Sequence, residues 1–488
     1  MNFLSFKKRN NDKLFDDLKK KIELYETQNY LPIYNDYFNY VKTPESGLNL
    51  NNRKIVYSIK KKIKENVVRG VIVDTKTGNK KNKDVYIKIS GIRDPYRYLM
   101  GKLKKEGEKI FDLPKMNDKN KSNNSTYVDG LFYYITSKLL ELYGFVHGIE
   151  YYGSFIGIKN NYLLDITDDL DILEMYPFFK SNNGILYTSN RKLLDYKTLP
   201  DIKIGDVIED EENIKWNDED FEASLSSLSD SIDSEEEDIM ITIKKFPVNI
   251  ILLEKCNETL DYLIFNENIT DEMWFSYLMQ IIMILIVYQD KFNMTHNDLH
   301  TCNIMFINTK KKYLNYKYDG KYYRVKTFGK IFKVIDFGRS IYNFGYKRII
   351  SHCFEKNEDA DGQYNFEKIG NKNKPIVEAN KSFDLCRLGC SLFEELIDNK
   401  KGKMISKITS PFLRLVIEWC KDDNGVNIYY KNNGNERYPD FKLYKMIAKK
   451  VHNHTPHNQL MRDEFKKFEY NKKMKKVIDI DNIPKFYE

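Results

Sequence analysis

One polar stretch in the second half of the chain is rich in side chains capable of acid–base and metal chemistry: Thr295-His296-Asn297-Asp298-Leu299-His300-Thr301-Cys302-Asn303-Ile304-Met305. An apolar run precedes it. Further along the chain comes a second motif, Lys333-Val334-Ile335-Asp336-Phe337-Gly338-Arg339. A three-residue motif such as Asp336-Phe337-Gly338 also arises by chance, so it identifies no function alone. The order of several motifs along the chain is more specific, and two further segments belong to that order.

The other segments are Val85-Tyr86-Ile87-Lys88, in a β-branched run, and Asp384-Leu385-Cys386-Arg387-Leu388-Gly389, at the start of an apolar run. In this order, the four motifs resemble the strand lysine, catalytic loop, metal-binding motif and loop-anchoring helix of the protein-kinase superfamily. The resemblance implies an α+β, bilobal protein-kinase-like fold with a small, mainly β N-lobe and a larger, mainly α C-lobe.

The resemblance also implies a role for each polar residue of the motifs. Asp298 would accept the proton of the acceptor hydroxyl, and Lys88 would hold the α- and β-phosphates of ATP. Asn303 and Asp336 would bind Mg²⁺, which prefers hard oxygen ligands. Since the transferred phosphoryl group carries dense negative charge, catalysis consists mostly of positioning and electrostatic neutralisation. The implied cofactors are ATP and Mg²⁺.

The nucleotide base is implied to bind at the connector between the lobes. The segment Asn249-Ile250-Ile251-Leu252-Leu253-Glu254-Lys255-Cys256 predicts a buried strand that runs into this connector. By resemblance, Leu253 is the gatekeeper of the base pocket, and the backbones of Glu254 and Cys256 face the adenine.

A narrower resemblance, to the serine/threonine protein kinases of large nucleocytoplasmic DNA viruses (giant-virus type), rests on segments outside the four motifs. It is carried by Tyr127-Val128-Asp129, by Gly153-Ser154-Phe155, and by a tyrosine-rich hairpin followed by Thr327-Phe328-Gly329-Lys330-Ile331-Phe332. Phe441-Lys442-Leu443-Tyr444-Lys445-Met446-Ile447-Ala448 is similar to the same group. The resemblance covers residues 50–470, apart from an acidic insertion.

The chain departs from the kinase pattern in four places. No GxGxxG loop precedes Lys88, where Gly70 stands alone. Asn297 replaces the arginine that usually precedes the catalytic aspartate, so we expect regulation that does not depend on activation-loop phosphorylation. No APE motif precedes Asp384, since Pro375-Ile376-Val377-Glu378 is a distant match.

The fourth departure is His300, two residues after Asp298, where protein kinases carry lysine. This arrangement also resembles haspin and the aminoglycoside and choline kinases. We count His300 among the catalytic residues with two roles open, contact with the γ-phosphate or bracing of the loop. The resemblance therefore keeps a small-molecule acceptor beside a protein acceptor.

The acidic partner of Lys88 stays open between two residues of one predicted helix. Apolar residues recur at helical spacing after Ser125, and Gly144 supplies a stop. Asp129 and Glu141 both flank this apolar stripe. We prefer Asp129 because it lies in a segment that carries the viral resemblance.

Composition shifts divide the chain into a short extension, two lobes and two insertions. These segments are an N-terminal extension (1–50) with a helix near 12–25, the N-lobe (51–254) with a disordered acidic insertion at about 205–238, and the C-lobe (255–488) with a hairpin insertion at about 310–330 around Asp319-Gly320. The segment after Thr259 is predicted to be mostly helical.

Charge is distributed unevenly along the chain. The formal net charge is +8, but residues 205–238 hold 15 acidic residues against Lys215, a local charge of −14, which leaves +22 on the rest. A body this basic attracts anionic ligands or its own acidic segment, although a composition rich in Lys, Asn and Ile also explains the excess. Nucleic-acid binding is not indicated, since aromatic residues do not cluster with Lys and Arg into a known module.

The cysteines and apolar runs bear on the cellular setting. Six scattered cysteines without a CxxC pair argue against a disulfide or zinc framework. No signal-peptide core is present, and the most apolar run, Met279–Tyr288, is too short to span a bilayer. We expect a soluble intracellular protein, in the host cytoplasm or virion if viral, without a membrane partner. The sequence does not determine the oligomeric state.

Two clusters invite a metal interpretation. His452, His454 and His457 lie in a polar loop without an evident acidic or cysteine partner, and we interpret them as a solvated loop. The aspartates of residues 165–171 alternate with apolar residues, which is typical of an exposed strand or turn.

The leading hypothesis is an ATP- and Mg²⁺-dependent Ser/Thr protein kinase. The alternatives are a small-molecule kinase of the aminoglycoside- or choline-kinase type and a non-catalytic pseudokinase that binds partners. Retention of Asp298, Asn303 and Asp336 argues against the pseudokinase, because a scaffold has no electrostatic need for all three.

Overall fold

A computed structural model describes residues 3–38, 47–105, 107, 109–115, 122–190, 238–364, 379–398, 408–431, 435–439 and 441–487. Of these residues, 34 % are helical and 30 % lie in strands, which confirms the predicted α+β class. The predicted acidic insertion lies outside the described residues except for Asp238, and so do residues 375–378.

The described strands and helices are numbered in chain order. The strands are β1 (Phe6–Lys8), β2 (Leu24–Gln28), β3 (Leu48–Leu50), β4 (Lys54–Lys64), β5 (Val67–Asp74), β6 (Lys80–Gly91), β7 (Tyr151–Asp165), β8 (Tyr187–Ser189), β9 (Met240–Glu254), β10 (Glu258–Thr259), β11 (Ile304–Asn308), β12 (Tyr313–Tyr318), β13 (Lys321–Lys326), β14 (Lys330–Val334), β15 (Ile341–Phe344), β16 (Lys347–Ile350) and β17 (Ile478–Asp479). The helices are α1 (Asp12–Ile22), α2 (Pro95–Leu99), α3 (Lys102–Lys105), α4 (Ser125–Tyr143), α5 (Leu170–Glu174), α6 (Pro177–Ser181), α7 (Leu260–Asn266), α8 (Asp271–Phe292), α9 (Phe383–Phe393), α10 (Pro411–Trp419), α11 (Lys442–Lys450), α12 (Pro456–Gln459) and α13 (Asp463–Lys466).

The largest sheet has the strand order β2-β7-β9-β6-β5-β4, with β8 beside β9. Strands β4, β5 and β6 form an antiparallel meander, and its central strand β5 is rich in β-branched residues, which favour the pleated, half-buried surface of a sheet. Lys88 of β6 lies opposite Ile251 of β9, and Tyr86 lies opposite Leu253. The β-branched run that contains Lys88 lies in β6, and the predicted buried strand that begins at Asn249 is the end of β9.

Helix α4 forms where the apolar periodicity predicts it. The side chain of Asn124 accepts a hydrogen bond from the backbone N–H of Thr126, which caps the start of the helix. Gly144, with φ of 65°, ends it in the left-handed conformation that glycine adopts without strain. The helix is buried along most of its length, and Asp129 lies within this buried part.

Helix α8 runs for 22 residues and is buried on nearly every face. Among the described residues it alone is long and apolar enough to cross a membrane, but 83 % of its most apolar window is buried inside the protein. The core helix of a soluble protein has the same property, so this burial is compatible with the predicted soluble state. The helix is longer than the apolar run at Met279–Tyr288 suggested.

The hairpin predicted at residues 310–330 is present. Strands β12 and β13 pair around Asp319 and Gly320, whose φ angles of 51° and 70° are those of a two-residue hairpin turn. Strand β17 joins β12 in parallel, so the hairpin belongs to a three-stranded sheet.

Two expectations about the chain ends need adjustment. The helix predicted at residues 12–25 ends at Ile22, where Glu23 is left-handed, and β2 follows and joins the large sheet. The segment after Thr259 holds β11, β14 and further short strands beside its helices, so it is less purely helical than predicted. Strand β11 pairs with β14 across the intervening hairpin, and helical periodicity does not reveal such a pairing.

The chain forms two compact units. The described residues of 1–93, 111–159 and 247–488 make up the first, and those of 94–110 and 160–246 make up the second. In the second unit, β8 pairs with residues 241–243, and the rings of Phe179 and Tyr187 stack at 4.7 Å. This division does not follow the predicted lobe boundary at residue 254, which stays a prediction.

Candidate active site

Lys88 lies between two carboxylates. Its Nζ is 2.7 Å from Oδ2 of Asp129 and 2.8 Å from Oδ1 of Asp336. The side chain of Asp129 is 2 % exposed, whereas that of Asp336 is 46 % exposed. Glu141 instead pairs with Lys138 at 2.8 Å. Of the two acidic partners considered from the sequence, Asp129 is therefore the one that contacts Lys88.

The three charges determine one another's pKa values. Burial lowers the pKa of Lys88, but the two carboxylates outweigh it and hold that pKa well above its ordinary value. Burial raises the pKa of Asp129 to about 6, although Lys88 partly offsets it. Burial also opposes ionisation of Asp336, but the Lys88 ammonium lowers its pKa to about 2. The cluster therefore keeps a charged lysine and an ionised Asp336 at neutral pH.

Backbone contacts fix the position of Asp336. Its N–H donates to the hydroxyl of Tyr133 at 2.9 Å, and the next N–H, of Phe337, donates to Oδ1 of Asp129 at 2.7 Å. Asp336 has a φ of 63°, a strained conformation for a residue with a side chain. The Phe337 ring is buried 4.6 Å from the ring of Phe132. Helix α4 thus supplies both the partner of Lys88 and the anchor of the motif around Asp336.

A buried aspartate holds the loop that carries Asp298. Oδ2 and Oδ1 of Asp384 accept hydrogen bonds of 3.0 Å from the N–H groups of His296 and Asn297. Burial raises the pKa of Asp384 to about 7, against the effect of these two donors. This is the anchoring contact that the resemblance implies for the start of α9.

His296 links the two motifs. Its ring is buried, with Nε2 2.8 Å from the carbonyl oxygen of Ile335 and Nδ1 3.3 Å from the N–H of Asp298. Burial lowers the pKa of His296. A neutral ring with its proton on Nε2 donates to Ile335 and accepts from Asp298, so both contacts are satisfied. A single side chain therefore contacts the backbone of Asp298 and the backbone of Ile335, the residue before Asp336.

Asn303 and His300 brace the same loop. Nδ2 of Asn303 donates to the backbone oxygen of Asp298 at 2.9 Å and lies 2.9 Å from Nε2 of His300. His300 therefore contacts Asn303, which corresponds to the bracing role considered for it. Burial lowers the pKa of His300, which favours the neutral ring that accepts from Asn303.

The Asp298 carboxylate contacts two residues that the motifs did not identify. The hydroxyl of Tyr444 donates to Oδ1 at 2.7 Å, and a guanidinium nitrogen of Arg339 lies 3.5 Å from Oδ2. Nε of Arg387 donates to the same Tyr444 hydroxyl at 2.9 Å. All three residues lie within quoted segments, but the sequence spacing gave no signal that Tyr444 and Arg339 contact Asp298 or that Arg387 contacts Tyr444.

Asn297, which replaces the usual arginine, connects the loop to the chain after the DFG motif. It has a φ of 67°, and its Nδ2 donates to the backbone oxygen of Arg339 at 3.0 Å. Its Oδ1 accepts from the hydroxyl of Tyr364 and from Gln363. Neutral hydrogen bonds therefore occupy this position, where a cation would be needed to pair with a phosphate.

The residues predicted to face the nucleotide base lie at the end of β9. Leu253 is buried, and the side chain of Glu254 pairs with the buried Lys333. The N–H of Glu254 donates to the carbonyl oxygen of Glu150 at 2.9 Å. Cys256 is buried just beyond the end of β9.

A short turn stands where a glycine-rich loop was sought. Strands β4 and β5 are joined by Glu65 and Asn66 alone, and the carbonyl oxygen of Asn66 accepts from the N–H of Ile87 at 2.8 Å. Gly70 lies inside β5, opposite Lys83, and not in the turn. The turn is thus attached to β6 beside Lys88.

Asp336 and Asn303 fit a magnesium ion by the chemistry of their free oxygens. Oδ1 of Asp336 contacts Lys88, and Nδ2 of Asn303 is bonded within the loop. Oδ2 of Asp336 and Oδ1 of Asn303 have no hydrogen-bond partner among the described residues. The described residues contain no group of three His, Cys, Asp or Glu side chains that could hold a metal ion. Mg²⁺ needs no such group, since it binds through one or two carboxylates plus substrate phosphates.

The three histidines near the end of the chain have separate partners. Nδ1 of His452 is 2.6 Å from Oδ2 of Asp423, so the expectation that no acidic partner exists was wrong. His454 is buried against the carbonyl oxygen of Lys421, and His457 contacts the hydroxyl of Tyr318. Asp423 was missed because it precedes His452 by a whole helix. These contacts hold loops together and form no common metal site.

No protein-family model matches the chain, and a search of curated proteins found no match.

Proposed function

We propose that the chain is a phosphotransferase of the protein-kinase class that moves the γ-phosphate of ATP to Ser/Thr hydroxyls of proteins, with Mg²⁺ as cofactor. One observation carries the proposal: Lys88, Asp129 and Asp336, far apart in the sequence, form one charged cluster. His296 ties this cluster to Asp298. A lysine between two carboxylates, next to a loop aspartate, matches the electrostatic needs of phosphoryl transfer.

The residues divide the work of transfer among them. Lys88 holds nucleotide phosphates by charge, and Asp298 takes the proton of the acceptor hydroxyl. Asp336 and Asn303 would hold Mg²⁺, which neutralises phosphate charge when bound. Asp384 and His296 keep the loop in place, since both bind its backbone. The bilobal kinase fold and the kinship with viral kinases are part of the same proposal.

A small-molecule acceptor is the second candidate. The Asp298 carboxylate already contacts Tyr444 and Arg339, so an acceptor must reach it past two large side chains. A compact alcohol meets that restriction more easily than a folded protein segment. An extended Ser/Thr peptide is intermediate in size between a compact alcohol and a folded segment. The two candidate functions therefore differ in which acceptors become labelled.

The test is transfer from γ-labelled ATP with Mg²⁺ by the full chain and by Asp298→Asn. We expect Ser/Thr labelling of general protein substrates that falls by at least about a hundredfold in the variant, the scale of lost acid–base catalysis. Labelling of small alcohols without protein labelling would instead establish the second candidate. Nucleotide binding without transfer to any acceptor, with Mg²⁺ or Mn²⁺, would establish the pseudokinase.

A further inference from the structure

The Tyr444 phenol is held at the carboxylate of Asp298 from both sides. It donates to Oδ1 of Asp298 at 2.7 Å and accepts from Nε of Arg387 at 2.9 Å. Among the described residues, Tyr444 provides the one hydroxyl group that is hydrogen-bonded to the Asp298 carboxylate. The phenol therefore has the contact that an acceptor hydroxyl must make before it loses its proton.

The ring is oriented by packing and not by the hydroxyl alone. Phe441 stacks on it at 5.2 Å with an interplanar angle of 15°. The guanidinium groups of Arg387 and Arg339 lie over the same ring, 5.0 and 5.7 Å from its centroid. Cation–π contacts of this kind restrict the ring to one orientation.

The helix that carries Tyr444 is itself anchored. Leu443, Ile447 and Ala448 are the buried residues of α11. Nδ2 of Asn380 donates to the carbonyl oxygens of Ala448 and Val451 at 3.4 and 3.0 Å, which ties the end of α11 to the segment before α9. Both sides of the Tyr444–Asp298 contact therefore rest on fixed backbone.

We propose that Tyr444 is a phosphoacceptor of the chain's own active site. The inference rests on the proposed function, because it requires that Asp298 serve as the base of phosphoryl transfer. In the step, the hydroxyl proton of Tyr444 passes to the Asp298 carboxylate as the phenolic oxygen bonds to the γ-phosphorus of ATP. The bond from that phosphorus to the bridging oxygen breaks, and ADP leaves with the electron pair.

The surroundings suit the product as well as the reactant. Burial and Asp298 raise the pKa of Tyr444, so the phenol stays protonated until Asp298 takes its proton. Arg387 already donates to that oxygen at 2.9 Å, and Arg339 lies beside the neighbouring Asp298 carboxylate, so both cations are placed to pair with a phosphate there. The phosphate also faces the Asp298 carboxylate, and like-charge repulsion drives the modified phenol away from it. Modification therefore frees Asp298 for an external acceptor.

Mass spectrometry of the full chain incubated with Mg²⁺ and ATP tests the inference. We expect phosphate on Tyr444, none there in Tyr444→Phe or Asp298→Ala, and a rate constant that is unchanged over a tenfold range of protein concentration. Tyr438→Phe is the matched control, since the Tyr438 hydroxyl contacts Lys450 and not Asp298. It should keep wild-type labelling of Tyr444.

A second readout needs no nucleotide or metal. The melting temperature is measured for Asp298→Ala, Tyr444→Phe and the double variant. If the contact exists in the free protein, the double variant loses less than the sum of the two single losses. Additive losses would show that the phenol is not on Asp298, and the inference would be wrong.

The outcomes separate this inference from the proposed function. Labelling of external Ser/Thr substrates with Tyr444 unmodified overturns the inference and leaves the function standing. Failure to label any acceptor, Tyr444 included, overturns the function and the inference with it. Phosphate on Tyr444 that depends on Asp298 supports both.

Discussion

Lys88 contacts two carboxylates that differ in exposure. Asp129 is buried and also accepts from the N–H of Phe337, so it fixes the lysine ammonium in place. Asp336 is nearly half exposed and keeps one carboxylate oxygen free. One cation is therefore shared by a buried carboxylate and a carboxylate that is open to solvent.

The role of Asp129 is tested against the other acidic residue of the same helix. Asp129→Asn removes a buried charge that faces Lys88, and we expect the free energy of unfolding to fall by about 1–3 kcal/mol. Glu141→Gln is the comparison on the same helix, because Glu141 is 22 % exposed and pairs with Lys138 instead of Lys88, and its loss should be smaller than that of Asp129→Asn. Urea denaturation measures both, and equal losses would argue against Asp129 as the structural partner of Lys88.

At the residue scale, the motifs predict which residues belong to the candidate site better than they predict which residues contact one another. Asp298, Asn303 and Asp336 were found because their motifs occur in a known order, and the structure brings their loops together through His296. Tyr444 was quoted only as part of a similar segment. Its contact with Asp298 joins residues 146 positions apart, and periodicity predicts neighbours only within one element.

The buried histidine before β7 connects two strands of the C-terminal half. Nδ1 of His147 lies 2.7 Å from the carbonyl oxygen of Phe332 in β14, and Nε2 lies 2.7 Å from the hydroxyl of Tyr316 in β12. Burial lowers its pKa to about 3 from an ordinary 6.5. The ring is therefore neutral in the folded protein over a pH range in which the unfolded chain protonates it.

This histidine predicts a pH dependence of stability. Between pH 6.5 and about 3 the unfolded chain binds a proton at His147 that the folded protein does not, so stability is complete above 6.5 and falls as the pH is lowered. His147→Gln removes this titration. Its unfolding energy should fall less steeply with acidification, by up to about 1.4 kcal/mol per pH unit. Denaturation at several pH values measures the two slopes, and parallel curves would refute the assignment.

At the element scale, local signals succeeded and long-range pairing was missed. Helix α4 was predictable because its apolar spacing and its glycine stop lie within one segment. Strand β2 was not, because its five residues show no clear alternation and its partner β7 lies far along the chain. Pairing across such a separation leaves no pattern in either strand alone.

At the scale of the whole molecule, the main feature is the uneven distribution of charge along the chain. Residues 206–238 carry all 15 acidic residues of the tract, and without them the net charge rises from +8 to +22. These residues, apart from Asp238, lie outside the described part of the chain. The hypothesis concerns their charge alone: they compete with anionic substrates for the basic surface.

Deletion of residues 206–238 tests that hypothesis. At low ionic strength the shortened chain should bind an anionic substrate more tightly than the full chain does. The difference should vanish at about 1 M salt, where screening acts within about 3 Å. A variant that replaces the acidic side chains by Asn and Gln controls for length and should match the deletion. Equal affinities of the full and the shortened chain at both low and high salt would show that the tract is only a spacer.

The most direct test of the central claim, that Lys88 and its two carboxylates form a nucleotide site, is a titration of Mg²⁺–ATP binding. The full chain is compared with Lys88→Met and with Lys83→Met, a control on the same strand whose lysine pairs with Glu150. Circular dichroism verifies that all three proteins are folded. We predict binding by the full chain and the control, and a loss of at least about tenfold, or 1.4 kcal/mol, in Lys88→Met. No binding by the full chain, or equal affinity in the two variants, would contradict the claim.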